Sequence, residues 1–135
     1  MTRRQPGRQA IMVILVLGGC ASHHHSTLDG VYTLAQATHG SDVYAGMCVS
    51  CHAGLGNHVG PPFRARWGGA SLLDLYRFMS TNMPQDDPGS LDPGDYVAVI
   101  AYLLKMNGMP AGKVALAADT TVLATIRYDT LPTRN

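Results

Sequence analysis

The sequence Cys48-Val49-Ser50-Cys51-His52 places two thiols one helical turn apart, with an imidazole directly after the second thiol. This C-x-x-C-H pattern is the attachment signature of c-type haem. Each thiol can add to one vinyl group of the porphyrin, and the histidine that follows is then held beside the iron as a ligand. We therefore expect one covalently bound haem c, attached through Cys48 and Cys51 and ligated by His52.

Two other uses of a cysteine pair fit the sequence less well. A structural zinc site requires four ligands, usually from a second cysteine pair or a downstream histidine pair. The chain has only three cysteines, and the third, Cys20, lies in a segment with a different explanation. A thioredoxin-like redox pair would lie next to a βαβ unit, and the sequence has no pattern of parallel strands.

The charge balance gives no reason to expect nucleic-acid binding. Only 14% of the 135 residues are charged, and all nine acidic residues are aspartates. Once the basic leader is set aside, seven basic residues remain against nine acidic ones, a net charge of −2, whereas nucleic-acid-binding domains are basic. The 15 glycines and 8 prolines indicate a small, loop-rich domain, and such domains commonly need a covalent or metal staple. Covalently bound haem would serve as one.

The N-terminal residues have the pattern of an export signal. Three arginines, Arg3, Arg4 and Arg8, precede an apolar run over residues 10–17. This run is much shorter than the roughly 20 residues that span a bilayer. A basic start and a short apolar run are typical of a secretory signal peptide, which we assign to residues 1–19.

The end of this signal, Leu17-Gly18-Gly19-Cys20, resembles the lipobox of bacterial lipoproteins. The resemblance implies that Cys20 is the lipidated mature N-terminus, anchored by two acyl chains on the periplasmic side of a membrane. The alternative is ordinary cleavage nearby, which leaves a soluble periplasmic protein with a spare thiol. Residues 20–38 are predicted to be a tether. The run His23-His24-His25 within it is better explained as solvated linker than as a metal site, since adjacent side chains do not share a face.

The region before the pentapeptide is predicted to be a helix capped by Ser41. Tyr44, Met47, Cys48 and Cys51 follow the helical spacing i, i+3, i+4 and i+7 and form one stripe. The pattern Gly40-x-x-x-Tyr44-x-x-x-Cys48-x-x-Cys51-His52 resembles the start of class I cytochrome c. The resemblance implies an all-α fold, with three to four short helices around one haem in a domain over residues 39–112.

The segment Gly60-Pro61-Pro62-Phe63 matches a Gly-Pro segment of the same family. The resemblance implies that the carbonyl of Pro61, or less favourably of Pro62, accepts the second ring proton of the axial histidine. Alternatively, the two prolines only stiffen a turn. The resemblance also places Trp67 and Arg64 at the haem edge, near a propionate, although a half-buried core tryptophan is a nearly equal interpretation.

A further helix is predicted from a capping box at Ser71-Leu72-Leu73-Asp74 to Asn82. Met83 precedes Pro84, so an extended backbone is expected there. A thioether in such a loop suits an iron ligand, and the resemblance places the sixth ligand at this Met-Pro, 31 residues after His52. Met79 is the main competitor, but its place on the apolar stripe of the helix marks it as a core residue.

The last helix of the resemblance is predicted to start with Asp92 as cap and Pro93 in its first turn. Its apolar face includes Tyr102, which is expected to cross the first helix at Gly40 and Tyr44. Residues 113–135 lie outside the resemblance. Within them, Asp119 could cap a short helix, and otherwise the segment is extended over the core.

His52 and Met83 together would fill both axial positions of iron, which suits electron transfer rather than catalysis on a substrate. We therefore expect a non-enzymatic, monohaem carrier that takes electrons from a dehydrogenase and passes them to an oxidase or another cytochrome. The chain is similar to cytochromes associated with bacterial periplasmic dehydrogenases. Alternatives are a haem sensor with a labile sixth ligand and a non-enzymatic subunit of a dehydrogenase complex. Four aspartates could steer a basic partner, although roles as caps and turn residues explain them better: Asp86, Asp87, Asp92 and Asp95.

Overall fold

The computed structural model describes residues 25–130, so the predicted signal peptide, Cys20 and the first two histidines of the His23–His25 run lie outside the described residues. No helix among residues 25–130 is long and apolar enough to cross a membrane. The described residues form five α-helices and two short strands. They are β1 (His25–Ser26), α1 (Leu34–Met47), α2 (Gly60–Trp67), α3 (Leu72–Asn82), α4 (Pro93–Met106), α5 (Thr120–Thr125) and β2 (Ile126–Arg127).

The crossing of α1 and α4 is the centre of the fold. Gly40 of α1 lies against the backbone of α4, where any side chain would collide with the carbonyl oxygen of Ala98. Tyr102 of α4 packs on Tyr44 of α1 with ring centroids 5.5 Å apart, as predicted. The predicted cap of α1 is wrong. The helix begins two turns earlier, and Thr33 instead of Ser41 accepts the capping bond.

The N-terminal segment packs on the domain instead of forming a tether from residue 25 onwards. Tyr32 is buried, and its hydroxyl donates to the Met109 carbonyl oxygen at 2.7 Å. The Gln36 side chain exchanges two hydrogen bonds with the backbone of Leu116. The prediction of a tether over residues 20–38 therefore fails from residue 25 onwards, because aromatic and amide groups in it find partners far along the chain.

The C-terminal segment also belongs to the core. As predicted, Asp119 caps a short helix, α5, by accepting from the N–H groups of Thr121 and Val122. Leu116, Leu123, Ile126 and Tyr128 are all buried. Strand β2 pairs in parallel with β1, which ties the two ends of the described chain together. The core thus extends beyond the predicted boundaries at residues 39 and 112, and α5 brings the helices to five instead of three or four.

The remaining helices begin where sequence signals placed them, with one difference. Ser71 and Asp74 form the predicted capping box of α3. Asp92 stands at the start of α4, but its side chain makes no capping bond. The Pro61-Pro62 pair occupies the first turn of α2, where proline is well tolerated. The all-α class I arrangement is confirmed.

Candidate haem site

One cavity of about 480 Å³ lies among α1, α2, α3 and α4. Two stretches of chain supply the groups that can bind a metal or a porphyrin. We call residues 48–60, which follow α1, the attachment segment, and residues 79–87, which end α3 and follow it, the methionine segment. The cavity walls between them are mainly apolar and aromatic: Tyr44, Met47, Phe63, Trp67, Leu75, Phe78, Val99 and Leu103.

Both thiols of the pentapeptide face this cavity, on a tight turn that continues α1. The helix ends at Met47, with Cys48 as its cap. The N–H groups of Cys51 and His52 both donate to the carbonyl oxygen of Cys48, at 3.2 and 2.9 Å. The two sulfurs therefore keep the one-turn separation that attachment to a porphyrin requires. Cys48 is half-buried and Cys51 is exposed.

Burial raises the pKa of the Cys48 thiol, and the neighbouring Cys51 raises it further. The folded site therefore favours the protonated thiol over the thiolate, which is the nucleophilic form.

His52 lines the cavity and contacts a second histidine that the sequence analysis did not single out. The rings of His52 and His58 have centroids 4.3 Å apart. The Tyr44 hydroxyl donates to the carbonyl oxygen of Gly54 at 3.2 Å and lies 2.9 Å from Nδ1 of His58. Both bonds are satisfied in the His58 tautomer that carries its proton on Nδ1, since the hydroxyl then donates to Gly54 and accepts from His58. Burial, followed by the proximity of His52, lowers the pKa of His58.

Asn107, at the end of α4, fixes the far end of the attachment segment. Its Oδ1 accepts from the Gly60 N–H at 2.9 Å, and its Nδ2 donates to the carbonyl oxygens of His58 at 2.9 Å and Leu103 at 2.8 Å. The Asn107 side chain is buried, and its bond to Leu103 is shielded from water, whereas those to Gly60 and His58 are partly buried. No sequence signal pointed to Asn107 or His58, because their partners are distant in the chain and both lie in ordinary loop or helix-end composition.

Pro61, whose carbonyl the family resemblance assigned to the axial histidine, lies at the start of α2. It is exposed in the first turn of α2 and does not line the cavity. Helical carbonyls point along the helix axis, so that of Pro61 is directed into α2. Among residues 25–130, no hydrogen bond joins Pro61 or Pro62 to His52. The attachment segment is held by bonds from Tyr44 and Asn107.

Trp67 lines the cavity, and the arginine that lines it beside Trp67 is Arg66, not Arg64. The guanidinium carbon of Arg66 lies 5.0 Å from the Trp67 ring centroid and 4.4 Å from that of Phe78. Arg64 projects elsewhere on α2, where its charge opposes the burial that raises the pKa of Tyr128. Residues 63, 66 and 67 share one helix face, and residue 64 does not. The structure therefore brings Arg66 to the site and leaves Arg64 outside it.

Met83 lies on the methionine segment in the extended conformation expected before proline, with φ −133° and ψ 146°. Its N–H donates to the Met79 carbonyl oxygen at 2.8 Å and forms the last bond of α3. Both Met83 and Met79 line the cavity. The Tyr96 hydroxyl, from the first turns of α4, donates to the Met83 carbonyl oxygen at 2.8 Å.

This set of donors fits a c-type haem. Two thiols at the attachment spacing, the adjacent imidazole of His52 and the thioethers of Met79 and Met83 all line one cavity with mainly apolar walls. Imidazole and thioether are the axial ligands of electron-transfer cytochromes c. An arginine stacked on aromatic rings at the margin suits a carboxylate group such as a propionate.

The family model described as "Cytochrome C oxidase, cbb3-type, subunit III" matches residues 35–103, just over half of the chain. The match starts in α1, includes every residue that lines the cavity and ends in α4. Searches of curated proteins and of solved structures found no match.

Proposed function

The chain belongs to the family described as cytochrome c oxidase, cbb3-type, subunit III, and on this premise we propose that it is a monohaem electron carrier. In this proposal, His52 and Met83 are the axial ligands of the iron. Membership makes the protein a c-type cytochrome that binds haem and transfers electrons. The ligand pair, the single haem and the place of work are our proposal. The observation that carries it is the meeting of Cys48, Cys51, His52 and Met83 at one cavity.

Each residue has a definite part in this proposal. The thiols of Cys48 and Cys51 would hold the porphyrin by thioether bonds, and the His52 imidazole and Met83 sulfur would bind iron on its two sides. Haem, when bound, supplies an iron that accepts and releases one electron. With both axial positions filled by protein, the site has no place for a substrate, so the protein is a carrier and not an enzyme.

The surrounding side chains fix these ligands and limit access of water. Tyr44 and Asn107 restrain the attachment segment through the bonds to Gly54, His58 and Gly60. Arg66 would lie beside a propionate and take the role that the sequence analysis gave to Arg64. A rigid, mainly apolar site keeps the ligand geometry similar in both oxidation states, which favours rapid electron exchange.

We place this carrier outside the inner membrane of a bacterium, anchored through Cys20. The support is the sequence of residues 1–20, with its basic start, short apolar run and lipobox-like end. Electrons would come from a dehydrogenase and leave to an oxidase or another cytochrome, and the family description itself refers to an oxidase subunit. Docking would use a small, short-lived interface, as is typical of redox partners.

The visible spectrum of the exported protein tests the ligand assignment. The oxidised holoprotein should show the weak far-red band that marks methionine sulfur on ferric haem, and the reduced form should bind carbon monoxide slowly. Met83→Ala should remove the band and give a high-spin haem that binds the gas rapidly. Met79→Ala is the matched control, since Met79 lines the same cavity and should leave the band in place. A band lost in Met79→Ala and kept in Met83→Ala would overturn the assignment. Rapid gas binding by the unsubstituted protein would favour a sensor.

A further inference from the structure

The hydroxyl of Tyr96 joins the methionine segment to α4 by a hydrogen bond to the Met83 carbonyl oxygen. We infer that Tyr96 is a positioning residue for the sixth iron ligand: it holds the backbone of Met83 so that the thioether stays on the iron. The inference rests on the proposed role of Met83. It concerns how long the sulfur remains bound, a property that the ligand assignment leaves open.

The geometry of the hydrogen bond from Tyr96 to Met83 is well suited to a positioning role. Tyr96 is only 2% exposed, so its hydroxyl has little competition from water. The bond to the Met83 carbonyl oxygen measures 2.8 Å and joins residues 13 positions apart. The ring is itself fixed, since it packs edge-on against Tyr76 of α3 with centroids 6.0 Å apart. The hydroxyl therefore comes from a rigid support.

Met83 needs such a link because the helix that carries it has ended. Its N–H makes the last bond of α3, and its extended backbone takes the carbonyl out of the helical ladder. Pro84 has no N–H to continue that ladder. The next bond in the segment, from the Asp87 N–H to the Pro84 carbonyl oxygen at 3.1 Å, is internal to it. Among the described residues, the hydrogen bond from Tyr96 is the one that reaches the Met83 carbonyl.

The same helix also holds the other ligand. Tyr102 of α4 packs on Tyr44, and Asn107 at the end of α4 bonds the attachment segment at His58 and Gly60. One rigid helix thus contacts both segments, with Tyr96 at one end and Asn107 at the other. Loss of the Tyr96 hydroxyl would release the methionine end alone, because Asn107 and its bonds are unchanged.

The rate at which Met83 leaves the iron tests the inference. Carbon monoxide in excess binds the reduced holoprotein only after the methionine dissociates, so the limiting rate of binding reports that step. Tyr96→Phe removes one oxygen and keeps the ring, and it should raise the limiting rate about tenfold, equivalent to about 1.4 kcal/mol. Tyr76→Phe and Tyr102→Phe are matched controls, since neither hydroxyl bonds the methionine segment among the described residues. They should change the rate less than about twofold, a few tenths of a kcal/mol.

The outcomes separate this inference from the ligand assignment. If the unsubstituted protein lacks the far-red band and binds the gas without a limiting step, Met83 is not the ligand and both proposals fail. If the unsubstituted protein shows methionine ligation but Tyr96→Phe has the same limiting rate as Tyr76→Phe, only the positioning role of Tyr96 is overturned. If the role of the Tyr96 hydroxyl were only structural, Tyr96→Phe would lower the thermal unfolding temperature without a selective increase in the limiting rate of carbon monoxide binding.

A measurement on the unsubstituted protein covers the case in which Tyr96→Phe does not mature. In the reduced, diamagnetic holoprotein, the Tyr96 hydroxyl proton should exchange slowly with water and show nuclear Overhauser contacts to Met83 and Pro84. A rapidly exchanging hydroxyl without these contacts would contradict the inference.

Discussion

The attachment segment and the methionine segment line the same cavity but are held in different ways. The attachment segment is irregular and contains three glycines with positive φ, Gly54, Gly56 and Gly60. It is fixed mainly by side chains from outside it, Tyr44 and Asn107. The methionine segment starts as regular helix, so backbone bonds hold it as far as Met83.

Under the proposed ligation by His52 and Met83, the difference reflects what each ligand requires. A histidine that follows two covalently attached cysteines is already confined by the chain, so its segment can be a loop, provided that a few distant side chains fix it. A methionine has no covalent link to the porphyrin. Its backbone needs a helix on one side and a bond from Tyr96 on the other. The same helix, α4, supplies the distant bonds to both segments.

The largest effect is expected at Gly40, because the α1–α4 crossing supports both segments. In Gly40→Ala, the added methyl group meets the Ala98 carbonyl, and the helices must separate. We expect a loss of about 4 kcal/mol in unfolding free energy, measured by denaturant titration of the holoprotein. Gly94→Ala is the control, since a Cβ there meets nothing within 4 Å. Equal stability of the two variants would contradict this account of the crossing.

A change at Asn107 should affect the attachment segment alone. Asn107→Ala leaves the partly buried N–H of Gly60 and the carbonyl of His58 without this partner, which costs about 2 kcal/mol. The far-red methionine band should remain. Asn82→Ala removes an exposed amide with local bonds at the end of α3 and should change stability little. If Asn82→Ala loses much stability, or Asn107→Ala loses none, the account is wrong that distant bonds hold the attachment segment and local bonds hold the methionine segment.

The smallest effect is expected at the start of α3, which supports the methionine segment through local bonds. Ser71→Ala removes a capping bond to the Asp74 N–H and should cost about 1 kcal/mol at neutral pH. Asp92→Ala is the control, because Asp92 holds the same position on α4 without a side-chain capping bond. It should leave unfolding unchanged, and a loss equal to that of Ser71→Ala would argue against the capping bond.

The cost of Ser71→Ala should also depend on pH. Hydrogen bonds from the Ser71 hydroxyl and backbone N–H hold the pKa of Asp74 below its usual value. A carboxylate with a lowered folded pKa stabilises the fold above its unfolded pKa of about 3.9, and this is lost as the pH falls through the folded value. The difference between Ser71→Ala and the unsubstituted protein should therefore shrink in acid. A difference that is independent of pH would mean that Asp74 takes no part in the cap.

The regular parts of the molecule were predictable because their signals are local. The capping box of α3, the proline at the start of α4 and the extended backbone at Met83 each depend on residues within one helical turn. The crossing of Tyr102 with Tyr44 came from a family resemblance, and the match to residues 35–103 agrees with it.

The bonds that hold the attachment segment were not predictable, because each joins residues far apart in the sequence. Asn107 meets Gly60 across 47 positions, and nothing in the composition near either residue indicates the pair. Arg64 was predicted at the site instead of Arg66 for a similar reason, since only the orientation of α2 decides which arginine lines the cavity. The packing of Tyr32 and Leu116 into the core was missed because neither lies in a periodic stretch.

Mass spectrometry of the denatured, exported protein tests the central claim most directly. After expression with the machinery that attaches c-type haem, the peptide that carries residues 48–52 should retain the mass of one haem, and neither Cys48 nor Cys51 should react with an alkylating agent. A colourless protein in which both thiols are alkylated and no haem mass is present would contradict the account.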